Sequence, residues 1–188
     1  MLSEKKEILT AFIKPLARAI TNVNPNSLTL LGLLTSLAAG YLFALGDSIE
    51  GGVLLLVSGF FDVLDGAVAR ENGRVTRFGG FLDSVCDRYA DSAVFVGIMY
   101  AGYPVQRDLW LAAAFALVGS LMVSYTRARA GEVGASSLPG LAERAERLLL
   151  VSIGAVAGYL YWAVVAVAVL SHITVLQRVL VARDMLRR

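Results

Sequence analysis

The sequence predicts an all-α, polytopic membrane protein with six transmembrane helices and an N-terminal juxtamembrane amphipathic helix. Three observations predict it. First, the 188 residues are 57% hydrophobic and only 17% charged, whereas a soluble domain is about a quarter charged. There is more apolar side chain than one small core can bury. Second, the apolar residues fall into six runs separated by polar breaks. Third, the basic residues concentrate in alternate breaks. The composition excludes a disordered chain and a disulfide scaffold, because the lone Cys86 has no second cysteine to pair with. A net charge of +2 gives no reason to expect nucleic acid as a partner.

Residues 1–26 carry Lys5, Lys6, Lys14 and Arg18, interrupted by Pro15 and Pro25. No apolar stretch followed by a small-residue cleavage site is seen, so no signal peptide is expected. Leu9, Phe12, Ile13 and Leu16 recur at helical spacing, as in an amphipathic helix lying on the membrane face. The first apolar run is Ser27 to Gly46, followed by the acidic loop Asp47–Glu50. The second, Gly51 to Arg70, is apolar except for Asp62 and Asp65, and a polar loop spans 71–79. The third, Gly80 to Tyr103, contains Asp83, Asp87, Arg88 and Asp91, and residues 104–108 form a turn. The fourth is Leu109 to Tyr125. Residues 126–147 read as a charged loop, with Gly131, Gly134, Pro139 and Gly140 breaking the periodicity. The fifth run is Leu148 to Tyr161 and the sixth Trp162 to Ala182, with Tyr159, Tyr161 and Trp162 suited to an interfacial turn. No internal repeat is present, and residues 1–188 read as one membrane domain.

The charges orient this plan. Lys and Arg number 17. All but Arg88 and Arg107 lie in the N-terminal segment, around the 71–79 loop, in 126–147 or near the C-terminus. The positive-inside bias puts both termini and both basic loops in the cytoplasm of a multi-pass cell-membrane protein.

The carboxylates inside the runs carry the chemistry. An Asp at the centre of a membrane helix costs about 3 kcal/mol, so four cost on the order of 10 kcal/mol. Asp62 and Asp65 are i,i+3, and Asp83 and Asp87 are i,i+4, so each pair shares a helix face. A short loop joins the two runs, so the helices are expected to be antiparallel neighbours whose four carboxylates converge near the cytoplasmic surface. Oxygen-only ligands select hard divalent ions, Mg²⁺ first, with Mn²⁺ possible. Two such ions would balance four Asp charges and attract a diphosphate. Gly66 and Ala69 lie on the face of Asp62 and Asp65 and leave a groove for a ligand. His172 stands alone and reads as a packed, hydrogen-bonded residue. The Gly154-x-x-x-Gly158 pattern is a helix-crossing site, within the bundle or between protomers.

Residues 62–87 read D-V-L-D-G-A-V-A-R, eight residues, then G-G-F-L-D-S-V-C-D. This resembles the signature of the CDP-alcohol phosphotransferases, D-x2-D-G-x2-A-R-x8-G-x3-D-x3-D. Asp62, Asp65, Gly66, Ala69, Arg70, Gly79, Asp83 and Asp87 occupy every fixed position. The first run opens with N-P-N-S-L-T, similar to the P-N-x-L-T found before the signature in many members. The resemblance implies a transferase that moves a lipid-bearing phosphate from a CDP-linked lipid to an alcohol and releases CMP. It implies that Asp62, Asp65 and Asp83 hold metal ions, with Asp87 touching the second and serving as general base. It places Asn26, Thr29, Asp62, Gly66, Ala69 and Arg70 around the cytidine and diphosphate. It also implies a homodimer.

For the acceptor, S-Y-T-R-A-R-A at 124–130 and E-R-A-E-R at 143–147 resemble the subgroup that makes phosphatidylinositol phosphate or archaetidylinositol phosphate. Carried over, Arg127, Arg144, Arg147 and Arg178 would bind the phosphate of inositol phosphate, for which the Arg fork is suited. Glu143 and Arg147, at i,i+4, could instead form a surface pair. Asp91 continues the Asp83–Asp87 face, toward acceptor hydroxyls or toward Arg88. Two other readings remain at this point. The chain could be a relative that uses glycerol phosphate, serine or free inositol. It could also be a cation transporter, although a transporter should place its acids near the midplane and often shows inverted repeats.

Overall fold

Helices make up the computed structural model, which describes residues 14–20, 22–103, 105–135, 138 and 140–187, with no strand among them. Six long helices follow a short helical stretch at 14–19. They are α1 (Pro25–Leu45), α2 (Ser48–Glu71), α3 (Arg77–Gly102), α4 (Arg107–Glu132), α5 (Arg144–Val156) and α6 (Leu160–Leu186). Asn24 caps α1, its side chain accepting the Asn26 N–H, and Pro25 occupies the first turn, where its missing N–H costs nothing. Gly46, at φ +89°, ends that helix in the left-handed conformation. Thr76 caps α3, its Oγ1 accepting the Gly79 N–H at 2.9 Å.

The helices close into a ring, each packed on two others, in the order α1, α2, α5, α6, α4, α3 and back to α1. This corrects the expectation that the two aspartate-bearing helices are packed neighbours. α2 and α3 both lean on α1 and face each other across a gap. Glycines set the close crossings. Gly40 meets the Ala93 carbonyl and Gly97 of α3, Gly52 meets Ala155 of α5, and Gly154 meets Ala163 of α6. Small residues let backbones approach where lipid supplies no hydrophobic drive to associate. Gly154 thus serves a crossing inside the bundle, and Gly158, at φ +77°, makes the α5–α6 turn.

The interior holds Phe43, Leu55, Val94, Phe95, Ile98, Val151, Val164 and Val167. Large apolar residues also point outward, among them Leu34, Tyr41, Val96, Tyr100, Ile153 and Leu176. Such an exterior is at home in lipid rather than water. Helices α1, α2, α4 and α6 are each long and apolar enough to cross a membrane. Helix α3 has the length, 26 residues, but carries charges along its first half. Helix α5 has only 13 residues, about 20 Å at 1.5 Å per residue.

Two boundaries differ from expectation. The charged loop at 126–147 is shorter than its composition suggests. Helix α4 continues through T-R-A-R-A to Glu132 because Ala and Arg favour helix, aided by an Arg129–Glu132 ion pair. The loop's far end also lies inside the bundle rather than on its surface. Ala142 is fully buried, and its N–H donates to Thr174 Oγ1 of α6 at 3.1 Å. Of the amphipathic N-terminal helix, Leu9, Phe12 and Ile13 lie outside the described residues. In the described stretch Ala17 is buried against Leu28, Leu64 and Val68, whereas Leu16 is exposed. Arg18 pairs with Glu71 at the end of α2, at 3.1 Å.

Candidate active site

The gap between α2 and α3 gathers the acidic residues. Carboxylate oxygens of Asp62, Asp83 and Asp87 lie within 4.8 Å of one another. They converge because each pair has helical spacing and α1 holds the two helices a side chain's reach apart. On α1, Gly32 packs against α2, where an added Cβ would touch the Phe61 Cβ at 3.4 Å. Asp65 is buried one step aside, and Thr29 Oγ1 donates to its Oδ2 at 2.5 Å. Three of the four predicted ligands therefore form one cluster. Asp65 and Thr29 border both that cluster and the cavity beside it. An all-oxygen, all-carboxylate donor set fits a hard divalent cation.

The cavity, about 270 Å³, opens next to the cluster between the starts of α1 and α3 and the end of α2. Of the six residues expected around the donor, Asn26, Thr29, Gly66, Ala69 and Arg70 line it, together with Asp65 and Asp83, whereas Asp62 stands in the adjoining cluster. Two glycines leave room for polar side chains of the wall. A Cβ on Gly66 would crowd the Arg70 guanidinium at 3.2 Å, and one on Gly79 would stand 3.3 Å from Asn26 Oδ1. The sequence reading missed Arg74, Val75, Thr76 and Gly80 on the same wall. Thr is a favoured helix cap, a signal available for Thr76; nothing local marked the others.

The predicted phosphate-binding arginines divide into two groups. Arg144 and Arg147, both on the first turn of α5, hold the acids. Arg144 Nη1 lies 2.7 Å from Asp62 and 2.8 Å from Asp87, and its Nε is 3.4 Å from Asp91. Arg147 Nη2 is 2.9 Å from Asp91, and its Nη1 donates to the Ala142 carbonyl at 2.8 Å. Arg127 and Arg178 flank Glu143, at 3.7 and 3.6 Å. Arg178 is fully buried and donates to the Val123 carbonyl. Its fork packs against Gly140, where a Cβ would stand 2.8 Å from Nη2. Two pairings considered from sequence are replaced. Glu143 does not pair with Arg147, because Arg147 turns inward. Asp91 pairs with Arg147 and Arg144, while Arg88 pairs with Asp87 at 3.1 Å. His172 is as expected, with Nδ1 2.8 Å from the Ala168 carbonyl and its ring edge-on to Phe115.

Residues 22–182 match the CDP-alcohol phosphatidyltransferase family. The chain belongs to that family. Over 186 residues it is 42% identical to an archaetidylinositol phosphate synthase of Methanothermobacter thermautotrophicus, covering 96% of this chain and 93% of the relative. It is 37% identical to a phosphatidylinositol phosphate synthase of Mycobacteroides abscessus, covering 92% and 84%. Its structure resembles the crystal structure of Mycobacterium tuberculosis phosphatidylinositol phosphate synthase with CDP-DAG bound, with a TM-score of 0.82 and 36% identity over 90% of this chain and 92% of that one. The same mycobacterial enzyme in complex with manganese and citrate gives a TM-score of 0.83, again at 36% identity, over 91% and 88% of the two chains. The aspartate cluster and the cavity thus belong to a phosphatidyltransferase and not to a cation path. The chain is a membrane-bound transferase of phospholipid synthesis.

Proposed function

We propose that the chain moves the phosphatidyl or archaetidyl group of a CDP-linked lipid onto a hydroxyl of inositol phosphate, releasing CMP. One observation carries the reading. The cavity lined by the signature residues adjoins an aspartate cluster, and beyond the cluster two arginines converge on a single carboxylate. That order matches donor, cation and phosphorylated acceptor. Asn26, Thr29, Gly66, Ala69 and Arg70 hold the cytidine diphosphate. Asp62, Asp65, Asp83 and Asp87 hold two ions, Mg²⁺ or Mn²⁺. Bound there, the ions would neutralise the diphosphate and stabilise charge on the leaving CMP. Asp87 takes the proton of the attacking hydroxyl. Arg127 and Arg178 bind the acceptor phosphate, with Arg144 and Arg147 behind them, and Asp91 orients those two arginines.

We further propose that residues 1–188 form one domain with six spans, including α3 and the short α5. Helix α5 begins beside Asp62 and Asp87, which lie nine residues before the end of α2 and ten after the start of α3. That is about 13–15 Å along each helix. A helix starting so far in needs only the remaining depth. Non-helical backbone at that depth requires internal partners, and Ala142 N–H has one in Thr174. Both termini and the site face the cytoplasm of the cell membrane, and the protein works as a homodimer.

The test is CMP release by purified protein with Mg²⁺ or Mn²⁺, a CDP-lipid and one acceptor at a time. Inositol phosphate supports release under this reading, whereas free inositol, serine and glycerol phosphate do not. Neutralising Arg127 and Arg178 raises the KM for inositol phosphate. Equal rates with free inositol would refute the acceptor assignment.

A further inference from the structure

Two adjacent residues at the start of α5 occupy the two charged subsites. Arg144 is mostly buried, and its Nη1 bridges Asp62 and Asp87, two of the three clustered carboxylates. A divalent cation held by that pair and the Arg144 guanidinium cannot share the position. Glu143 lies between Arg127 and Arg178, with opposite charge to theirs and the same charge as a phosphate. Its geometry is informative. Its side chain makes no hydrogen bond to the start of α5 that would hold it there. Both contacts to the arginines are long, at 3.6 and 3.7 Å, and the Glu143 side chain is 44% exposed. It can therefore be withdrawn.

We propose that Glu143 and Arg144 are internal stand-ins for the ligands. Arg144 takes the place of the cation among the aspartates, Glu143 takes the place of the acceptor phosphate between Arg127 and Arg178, and each ligand binds by displacing one of them. The inference rests on the phosphorylated-acceptor reading for Glu143 but not for Arg144. It makes Glu143 a specificity determinant. A dianionic phosphate out-competes a single carboxylate for two guanidiniums, whereas a neutral alcohol leaves Glu143 in place. Because the two residues are consecutive, withdrawal of one also loosens the seat of the other, so the cation and the acceptor should favour each other's binding.

The experiment measures binding to purified protein without the CDP-lipid. Mn²⁺ is titrated by electron paramagnetic resonance and inositol phosphate by calorimetry. Glu143→Gln tightens inositol phosphate about two- to fivefold, the scale of an exposed ion pair. Arg144→Gln tightens Mn²⁺ by about tenfold, since it removes a better-buried competitor. Should that variant not fold, Arg144→Lys, whose single ammonium lacks the bridging fork, tightens Mn²⁺ to a smaller extent. Unchanged or weaker Mn²⁺ binding in the folded Arg144 variant overturns the cation half. Unchanged or weaker inositol phosphate binding in Glu143→Gln overturns the phosphate half. Wild-type protein that binds no inositol phosphate overturns the acceptor reading itself, and the Mn²⁺ titration still decides the role of Arg144.

Discussion

Removing Arg147 should destabilise the protein, and removing its partner as well should restore it. Arg147 and Asp91 join α5 to α3 through a 2.9 Å contact, with side chains only 3% and 14% exposed. Breaking a buried pair from one side leaves the other charge without compensation, at about 3–5 kcal/mol. Asp91 keeps Arg144 Nε at 3.4 Å as a second partner, which places Arg147→Met at the lower end, about 3 kcal/mol. The Ala142 carbonyl also loses its donor. For a chain of this size each kcal/mol shifts Tm by about 2–4 °C, giving a loss of about 6–12 °C. The assay is thermal unfolding in detergent of the wild type, Arg147→Met, Asp91→Leu and the double variant. Replacing both partners by apolar residues removes the orphaned charge, so the double variant should recover most of the loss. A single variant within 2 °C of wild type, or a double variant whose loss equals the sum of the two, would refute the buried-pair account.

Asp87→Asn keeps the shape of the side chain but removes the base, so it should abolish CMP release while Mn²⁺ and CDP-lipid still bind. Wild-type turnover would rule Asp87 out as the base. Asp62→Asn should weaken both rate and metal dependence, seen as a rightward shift of the Mg²⁺ titration, and an unshifted titration would remove Asp62 from the ligand set. Gly97→Ala should destabilise by about 1–3 kcal/mol, because its Cβ would fall on the Gly40 carbonyl oxygen, whereas Gly131→Ala, with open space around it, should be neutral or stabilising. Comparable Tm losses in the two would show that the α1–α3 crossing is not the tight contact described.

The sequence made the chemistry more legible than the architecture. Asp62, Asp65, Asp83 and Asp87 could be placed on two faces because helical period converts spacing into direction within one element. Five of the six residues expected at the donor cavity line it, because they sit within a few residues of those faces or at the start of α1, and the sixth, Asp62, lies in the adjoining cluster. Relations between elements were less legible. The adjacency of α2 and α3 was inferred from a short loop, but loop length limits only how far apart helix ends can be. It says nothing of the third helix, α1, that lies against both. The sorting of the arginines was hidden for a similar reason. Glu143 and Arg147 stand at pairing distance on a helix surface, yet Asp91 lies 56 positions from Arg147 and attracts it inward. The buried end of the 126–147 segment depends on Thr174 and Gly140, whose side-chain chemistry signals nothing until α6 is in place.

The charges bear on why such a costly arrangement persists in a membrane. Asp62, Asp65, Asp83, Asp87 and Asp91 face the gap, and only Arg88, Arg144 and Arg147 pair with them among the described residues. The acids therefore exceed the bases by two, which is the charge of one divalent cation. On the other side Arg127 and Arg178 flank Glu143, and a pair of guanidiniums suits an anion. Structural ion pairs selected for stability alone would be expected to balance, since an uncompensated charge in low dielectric costs several kcal/mol. The imbalance among the aspartates is opposite in sign to the cation proposed for them. The folded protein therefore carries a standing electrostatic cost that cation binding relieves, and so the affinity for the cation comes from the same residues that limit its stability.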